Sequence, residues 1–230
     1  MVIRPACAAG DWYPSDADEL ITSIAELLLT FPVADVMPSA LLVPHKSLER
    51  CGKVSAAAFR HLSQLSSIID NVVVLAACED GCNGAVLPIC EQFSTPLGQI
   101  AVDNRRCQSL SLLPFVSRCD RSHYYSSRIE VQLPFLQTCL TDFEILPILV
   151  GNINMSDLLL LFNSLPKARN TLLVLSLDID DPDIKSQEPL EQRLLQGFMQ
   201  YCQQVRWQIL AANSESDNKS DEILKSFIVH

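Results

Sequence analysis

Five residues carry most of the chemistry this sequence could do: His45, Glu79, Asp80, Asp178 and Asp181. Each follows a short apolar run. Residues 40–43 precede Pro44 and His45, residues 71–76 precede Glu79 and Asp80, and residues 171–177 precede Asp178 and Asp181. An imidazole and several carboxylates delivered from separate strand ends suit iron, manganese or zinc. His45, Glu79, Asp178 and Asp181 are therefore a candidate metal set. The same positions also admit a structural reading, in which the aspartates cap the following helices and His45 bonds to a turn.

The elements that must position these groups alternate along the chain. Residues 15–31 predict a helix, with Ser15 and Asp18 in capping-box spacing and Leu20, Ile21, Ile24, Leu27 and Leu28 on one face. Residues 52–65 predict a second helix. Residues 71–76 are the clearest strand, apolar without alternation, as burial on both faces requires. Shorter strands are expected at 86–89 and 98–102, then a helix from Asn104. Residues 129–140 follow a helical pattern that Pro134 must start or kink. Strands at 143–150 and 171–177 flank a helix at 156–165; a helix at 191–204 and strands at 205–212 and 223–229 complete the chain. Residues 178–191 and 213–221 are the polar, mobile candidates. This order predicts an α/β fold with a mixed, mostly parallel central sheet flanked by helices. In such sheets the ligand crevice lies beyond the carboxyl ends of the strands, where the candidate residues fall.

Composition narrows the function classes. The chain has 230 residues, a formal charge of −10 and 48% apolar residues, which predicts one folded domain over residues 1–230. Its 17 basic residues form no block, which argues against nucleic acid as a partner. No apolar run approaches the ~18 residues of a membrane span, and no secretory signal is recognisable. Seven glycines leave little for phosphate-cradling loops, and no nucleophile, P-loop or dinucleotide motif is present. The nine cysteines are irregularly spaced, several within apolar runs, and read as small buried hydrophobes in a reduced cytoplasm. Cys78 and Cys82 are the one close pair, in Cys-Glu-Asp-Gly-Cys. Their spacing is not that of a redox CxxC, and no second pair completes a zinc site, although a strand-end loop could expose them to oxidation. Trp12 and Tyr13 read as packing the N-terminal arm on the domain, with Trp12 also able to line the crevice. Arg128 and Glu130 read as solvated groups of one helix, and His61 and His123 as lone histidines.

Several segments resemble one family. Ala9-Gly10-Asp11-Trp12-Tyr13-Pro14 is similar to the AG-x-WYP opening of the Memo family, which includes bacterial proteins called AmmeMemoRadiSam system protein B. Leu42-Val43-Pro44-His45, followed by Cys51-Gly52, resembles its PHAGY…G segment. Residues 128–135 resemble S-I-E-x-H-L-P-[FY], residues 146–151 resemble I-P-V-L-V-G, and residues 174–178 fall where the family has V-x-S-S-D. The terminal Val229-His230 is similar to the family's ending, and the matches keep chain order. The resemblance implies a fold of the LigB-type extradiol dioxygenase kind and a metal site built from two histidines and a cysteine, with redox chemistry. It also implies companions with an AMMECR-type domain and a radical-SAM protein.

The chain departs from the pattern where that chemistry would sit. His45 matches the first ligand position. The G-P-S-H-H motif reads Ala76-Ala77-Cys78-Glu79-Asp80, which places Glu79 where a ligand histidine belongs and leaves Cys78 and Asp80 beside it in the crevice. Gln132 stands for the histidine of S-I-E-x-H, Asp181 aligns near another, and the C-G-R-H-P motif with its cysteine has no counterpart. The resulting expectation is a divergent member that has lost the family metal site, holds no cofactor and acts by binding a partner. The alternative is an enzyme whose remodelled His/carboxylate site holds iron or another divalent cation.

Overall fold

Asn71–Ala77 is the strand around which the fold is built. Its unbroken apolar run is buried from Val72 onward because neighbours cover both faces. The computed structural model describes residues 2–33, 37–178, 189–205, 209–216 and 223–229. In chain order its strands are β1 (Ile3–Arg4), β2 (Ala40–Val43), β3 (Asn71–Ala77), β4 (Ala85–Leu87), β5 (Gln92–Thr95), β6 (Gly98–Val102), β7 (Val116–Arg118), β8 (Glu144–Val150), β9 (Thr171–Ser176), β10 (Ile209–Ser216) and β11 (Ile223–Val229). The helices are α1 (Ala17–Leu29), α2 (Leu48–Phe59), α3 (Asn104–Leu110), α4 (Asp120–Tyr125), α5 (Ser127–Glu130), α6 (Leu133–Cys139), α7 (Met155–Ser164) and α8 (Pro189–Val205).

All the described strands join one mixed sheet in the order β1-β5-β6-β8-β3-β9-β2-β11-β10, with β4 on β8 and β7 on β4. The central strands β8, β3, β9 and β2 run parallel, while β11 and β10 close one edge antiparallel. Helices α1, α2 and α6 pack together, and α7 packs on α8. This is the α/β architecture that the alternating pattern predicts. Among the described residues, no helix is long and apolar enough to cross a membrane.

Several local expectations are corrected. Asp16 caps α1, accepting from Glu19 N at 2.9 Å, so the cap lies one residue beyond Ser15. The second helix starts earlier, at Leu48, and tightens into a 3₁₀ turn over Arg60–Gln64. The helical pattern of residues 129–140 is split at Val131–Gln132 into α5 and α6, with Pro134 in the first turn of α6, where its missing N–H costs nothing. Helix α8 runs through Val205, which displaces the following strand to Ile209–Ser216. Asn213, expected in a mobile stretch, pairs with Ser226 in the β10–β11 ladder. Of the other expected mobile stretch, residues 179–188 lie outside the described residues. Strands β1, β5 and β7 leave no signal in the sequence, since runs this short carry little periodicity.

Candidate functional site

Strand register sets the crevice. Val43 of β2 is level with Ser176 of β9, which in turn is level with Ala76 of β3. Advancing two residues along each strand brings His45, Asp178 and Cys78 to the same carboxyl edge. The backbone N–H of His45 donates to Asp178 Oδ1 at 3.0 Å. Gln132, 1% exposed, ties the strand ends together by donating to Pro44 O at 2.9 Å and Ser176 Oγ at 2.8 Å. Ser176 Oγ donates onward to Arg128 O at 2.6 Å. Gln132, which stands where the resembled motif has a histidine, thus ties strand ends together.

Charged side chains and the His45 imidazole line up across this edge. Lys46 Nζ lies 2.7 Å from Asp178 Oδ2, and His45 Nδ1 lies 3.5 Å from Asp178 Oδ1. The other ring nitrogen, Nε2, is 3.7 Å from Glu191 Oε1. Glu191 accepts from Arg128 Nη1 and, through its second oxygen, from the Asp178 N–H at 3.2 Å. Arg128 Nε donates to Glu79 Oε1 at 2.5 Å. Arg128 and Glu191 are nearly enclosed, whereas the Glu79 side chain is 43% exposed. Burial pushes the Asp178 carboxyl up, but His45 and Lys46 together hold it below the usual carboxylate range.

The structure brings His45, Glu79 and Asp178 to one edge without making them one donor set. His45 directs its two nitrogens to different carboxylates, and Glu79 reaches the group through Arg128. Among the described residues, the metal-type donors whose atoms all lie within 4.8 Å of one another are Cys78, Asp80 and Cys82. His45, Glu79 and Asp178 are not in that group. Asp181 lies outside the described residues. Trp12 is half-buried, and its carbonyl accepts from Leu48 N at 2.8 Å. Together with Pro44, Lys46 and Gln132 it lines a narrow cleft beside the crevice.

Two readings of charged side chains are overturned. Arg128 and Glu130 are 6% and 0% exposed. They diverge to two networks. Arg128 enters the crevice, while Glu130 anchors the N-terminal arm, accepting from Arg4 Nη1 at 2.5 Å, Cys7 N at 3.1 Å, Ala8 N at 2.9 Å and the Tyr13 hydroxyl. The signal available was two opposite charges alternating with β-branched apolar residues, Arg128-Ile129-Glu130-Val131, which suits burial with partners as well as a solvated face. Glu191 gave no comparable signal.

The cysteines divide. Cys51, Cys90, Cys107, Cys139 and Cys202 are buried free thiols, as expected. Cys78 and Cys82 are joined in a disulfide, which departs from the reduced reading. Gly81, at φ 71°, supplies the left-handed turn that folds this short loop back on itself. Gly151 supplies the space, because a Cβ there would meet Cys82 O at 1.9 Å.

Comparison with known proteins agrees with this architecture. Residues 4–220 match the family model described as Memo, Memo-like protein. A MEMO1 family protein from Ignicoccus hospitalis is 32% identical over 203 residues, covering 82% of this chain and 70% of that protein. One from Aquifex aeolicus is 31% identical over 153 residues, 65% of this chain and 55% of that protein. The Protein memo-1 homolog of Caenorhabditis elegans is 29% identical over 154 residues, and the matched part spans 43% of its length. The chain thus spans only part of the relatives it matches. Among solved structures, the uncharacterized protein JW3007 from Escherichia coli K12 shares the fold at a TM-score of 0.50 and 12% identity, covering 84% of this chain and 99% of that one. With a family match that takes in nearly the whole sequence, the chain belongs to the Memo family.

Proposed function

We propose that this Memo-family chain works without a metal at the His45 crevice and acts by binding a partner protein. The observation supporting this reading is the Arg128 guanidinium, which is held by both Glu79 and Glu191 at the strand ends. It supplies from within the chain the positive charge that a dication would supply from outside. Coordinating a cation would require Glu79 or Glu191 to give up charge-assisted hydrogen bonds, with the cation then standing beside a fixed positive group. Lys46 occupies Asp178 in the same way. Proteins with an AMMECR-type domain or a radical-SAM centre, which the family resemblance implies, are the first partners to test.

Thermal unfolding during a titration with Mn²⁺ or Fe²⁺ separates this reading from the metal-enzyme alternative. A cation that binds only the folded chain stabilises it by about 2.7 kcal/mol at a hundredfold excess over Kd. No rise in Tm that depends on His45 is expected up to millimolar metal. A partner captured by the tagged chain should also be retained by His45→Ala. A metal-dependent rise in Tm that disappears in His45→Ala would instead establish the remodelled metal site.

A further inference from the structure

The loop after β3 carries a second constellation, separate from the crevice network. Cys78, Asp80 and Cys82 offer two sulfurs and a carboxylate oxygen within 4.8 Å of one another, at a strand end that runs from buried Cys78 to exposed Asp80. The loop is built to hold them. Cys78 N is fixed on Val150 O at 2.8 Å, and Cys82 O accepts from Asn152 N at 2.8 Å. Gly81 makes the turn, and Gly151 leaves the space that Cys82 fills. Asp80 is oriented from behind, since Ser122 Oγ donates to its Oδ2 at 2.9 Å while Oδ1 faces Cys78 Sγ at 2.7 Å. Carboxylates that ligate metals are ordinarily held by such an outer hydrogen bond.

We propose that Cys78, Asp80 and Cys82 form a redox-gated binding site for a thiophilic divalent cation such as Zn²⁺. In the disulfide, Cys78 has no hydrogen to donate to Asp80. In the dithiol, its S–H points at Asp80 Oδ1. With both thiols deprotonated, the three groups carry three negative charges, of which a dication offsets two, and calcium or magnesium, preferring oxygen cages, match two sulfurs poorly. Two thiolates at about 2.3 Å from a tetrahedral Zn²⁺ stand about 3.8 Å apart. Side-chain rotation can open the pair that far while the Cα atoms stay near their 6.3 Å separation. The exposed side of Asp80 leaves the fourth position to water.

Oxidation closes the site with balanced chemistry. One cysteine thiolate attacks a low-molecular-weight disulfide, forming a mixed disulfide and expelling one small thiolate. The second cysteine then displaces the other small thiolate, and the two protons lost from the cysteines end on the two leaving groups. The cysteines lose two electrons together, the small disulfide gains them, and the metal ligands are gone.

Co²⁺, a spectroscopic stand-in for Zn²⁺, tests this on the full chain. The reduced protein should bind one Co²⁺ with a thiolate-to-metal charge-transfer band that Zn²⁺ abolishes. That band should be absent from Cys78→Ser and from Cys82→Ser, and absent after oxidation with a small disulfide. Ser122→Ala, which leaves the sulfurs in place, should weaken Co²⁺ binding about tenfold, as loss of an outer ligand contact does. Cys119→Ser and His45→Ala should keep the band. No band in the reduced wild type overturns the proposal, as does one that survives the double cysteine variant. A band lost in His45→Ala would move the metal to the crevice, which also overturns it and refutes the partner-binding reading.

Discussion

Arg128 donates through Nη1 to Glu191 Oε1, and the pair lies almost wholly out of solvent between the strand ends and α8. Removing one partner of a buried ion pair leaves the other charge uncompensated, at a cost of about 3–5 kcal/mol. Arg128→Met should lower stability by that amount, read as a shift in the urea midpoint. Adding Glu191→Gln, which removes the stranded charge but keeps an acceptor for Asp178 N, should recover most of the loss. A double variant no more stable than Arg128→Met would mean that the guanidinium acts mainly through packing.

Glu130 should be as sensitive, with a local signature. Glu130→Gln removes the charge that balances buried Arg4 and replaces an acceptor of the arm by a donor. The expected loss is again about 3–5 kcal/mol. Proteolysis by a nonspecific protease should begin within residues 2–13 of the variant and not of the wild type.

His123 gives the chain an acid-sensitive component. Burial lowers its pKa from 6.5 to about 4, against the opposing effect of the Val86 carbonyl 3.0 Å from Nε2. Because the folded value is depressed, the unfolded chain binds the proton more readily between these pH values. Stability from this group is therefore complete above the unfolded pKa and falls as pH drops toward 4, by about 3 kcal/mol in all. Asp178, also depressed when folded, loses its contribution in the same direction at lower pH. Urea unfolding between pH 4 and 7 should show this slope, and His123→Gln should flatten its upper part.

Gly151 tests the packing beneath the cysteine loop. A Cβ at this position falls 2.6 Å from Cys82 Sγ as well as against its carbonyl, so the loop must move. Gly151→Ala should cost about 1–3 kcal/mol. It should also slow formation of the Cys78–Cys82 disulfide, followed by mass after alkylation. Unchanged stability and oxidation would show that the loop does not rest on this contact.

The sheet is legible because its central strands are buried on both faces, which writes unbroken apolar runs such as 72–77 and 145–150 into the sequence. The edges are not, since β1 and β7 span only a few residues and borrow their hydrogen bonds from neighbours. His45 and Asp178 could be placed together because each follows a strand end, and parallel register does the rest. What local reading missed is the group that connects them. Arg128 and Glu191 lie 63 residues apart, on helices whose approach depends on the whole fold. The disulfide was missed for a related reason: it depends on Gly81 at positive φ and on a glycine in a different strand end, Gly151.

The central claim, that the Arg128 network takes the place of a metal at the strand ends, is tested most directly by metal analysis of the chain purified without oxygen. The account predicts no stoichiometric iron or manganese that depends on His45, with His45→Ala indistinguishable from wild type. Stoichiometric iron in the wild type that is lost on His45→Ala would contradict it.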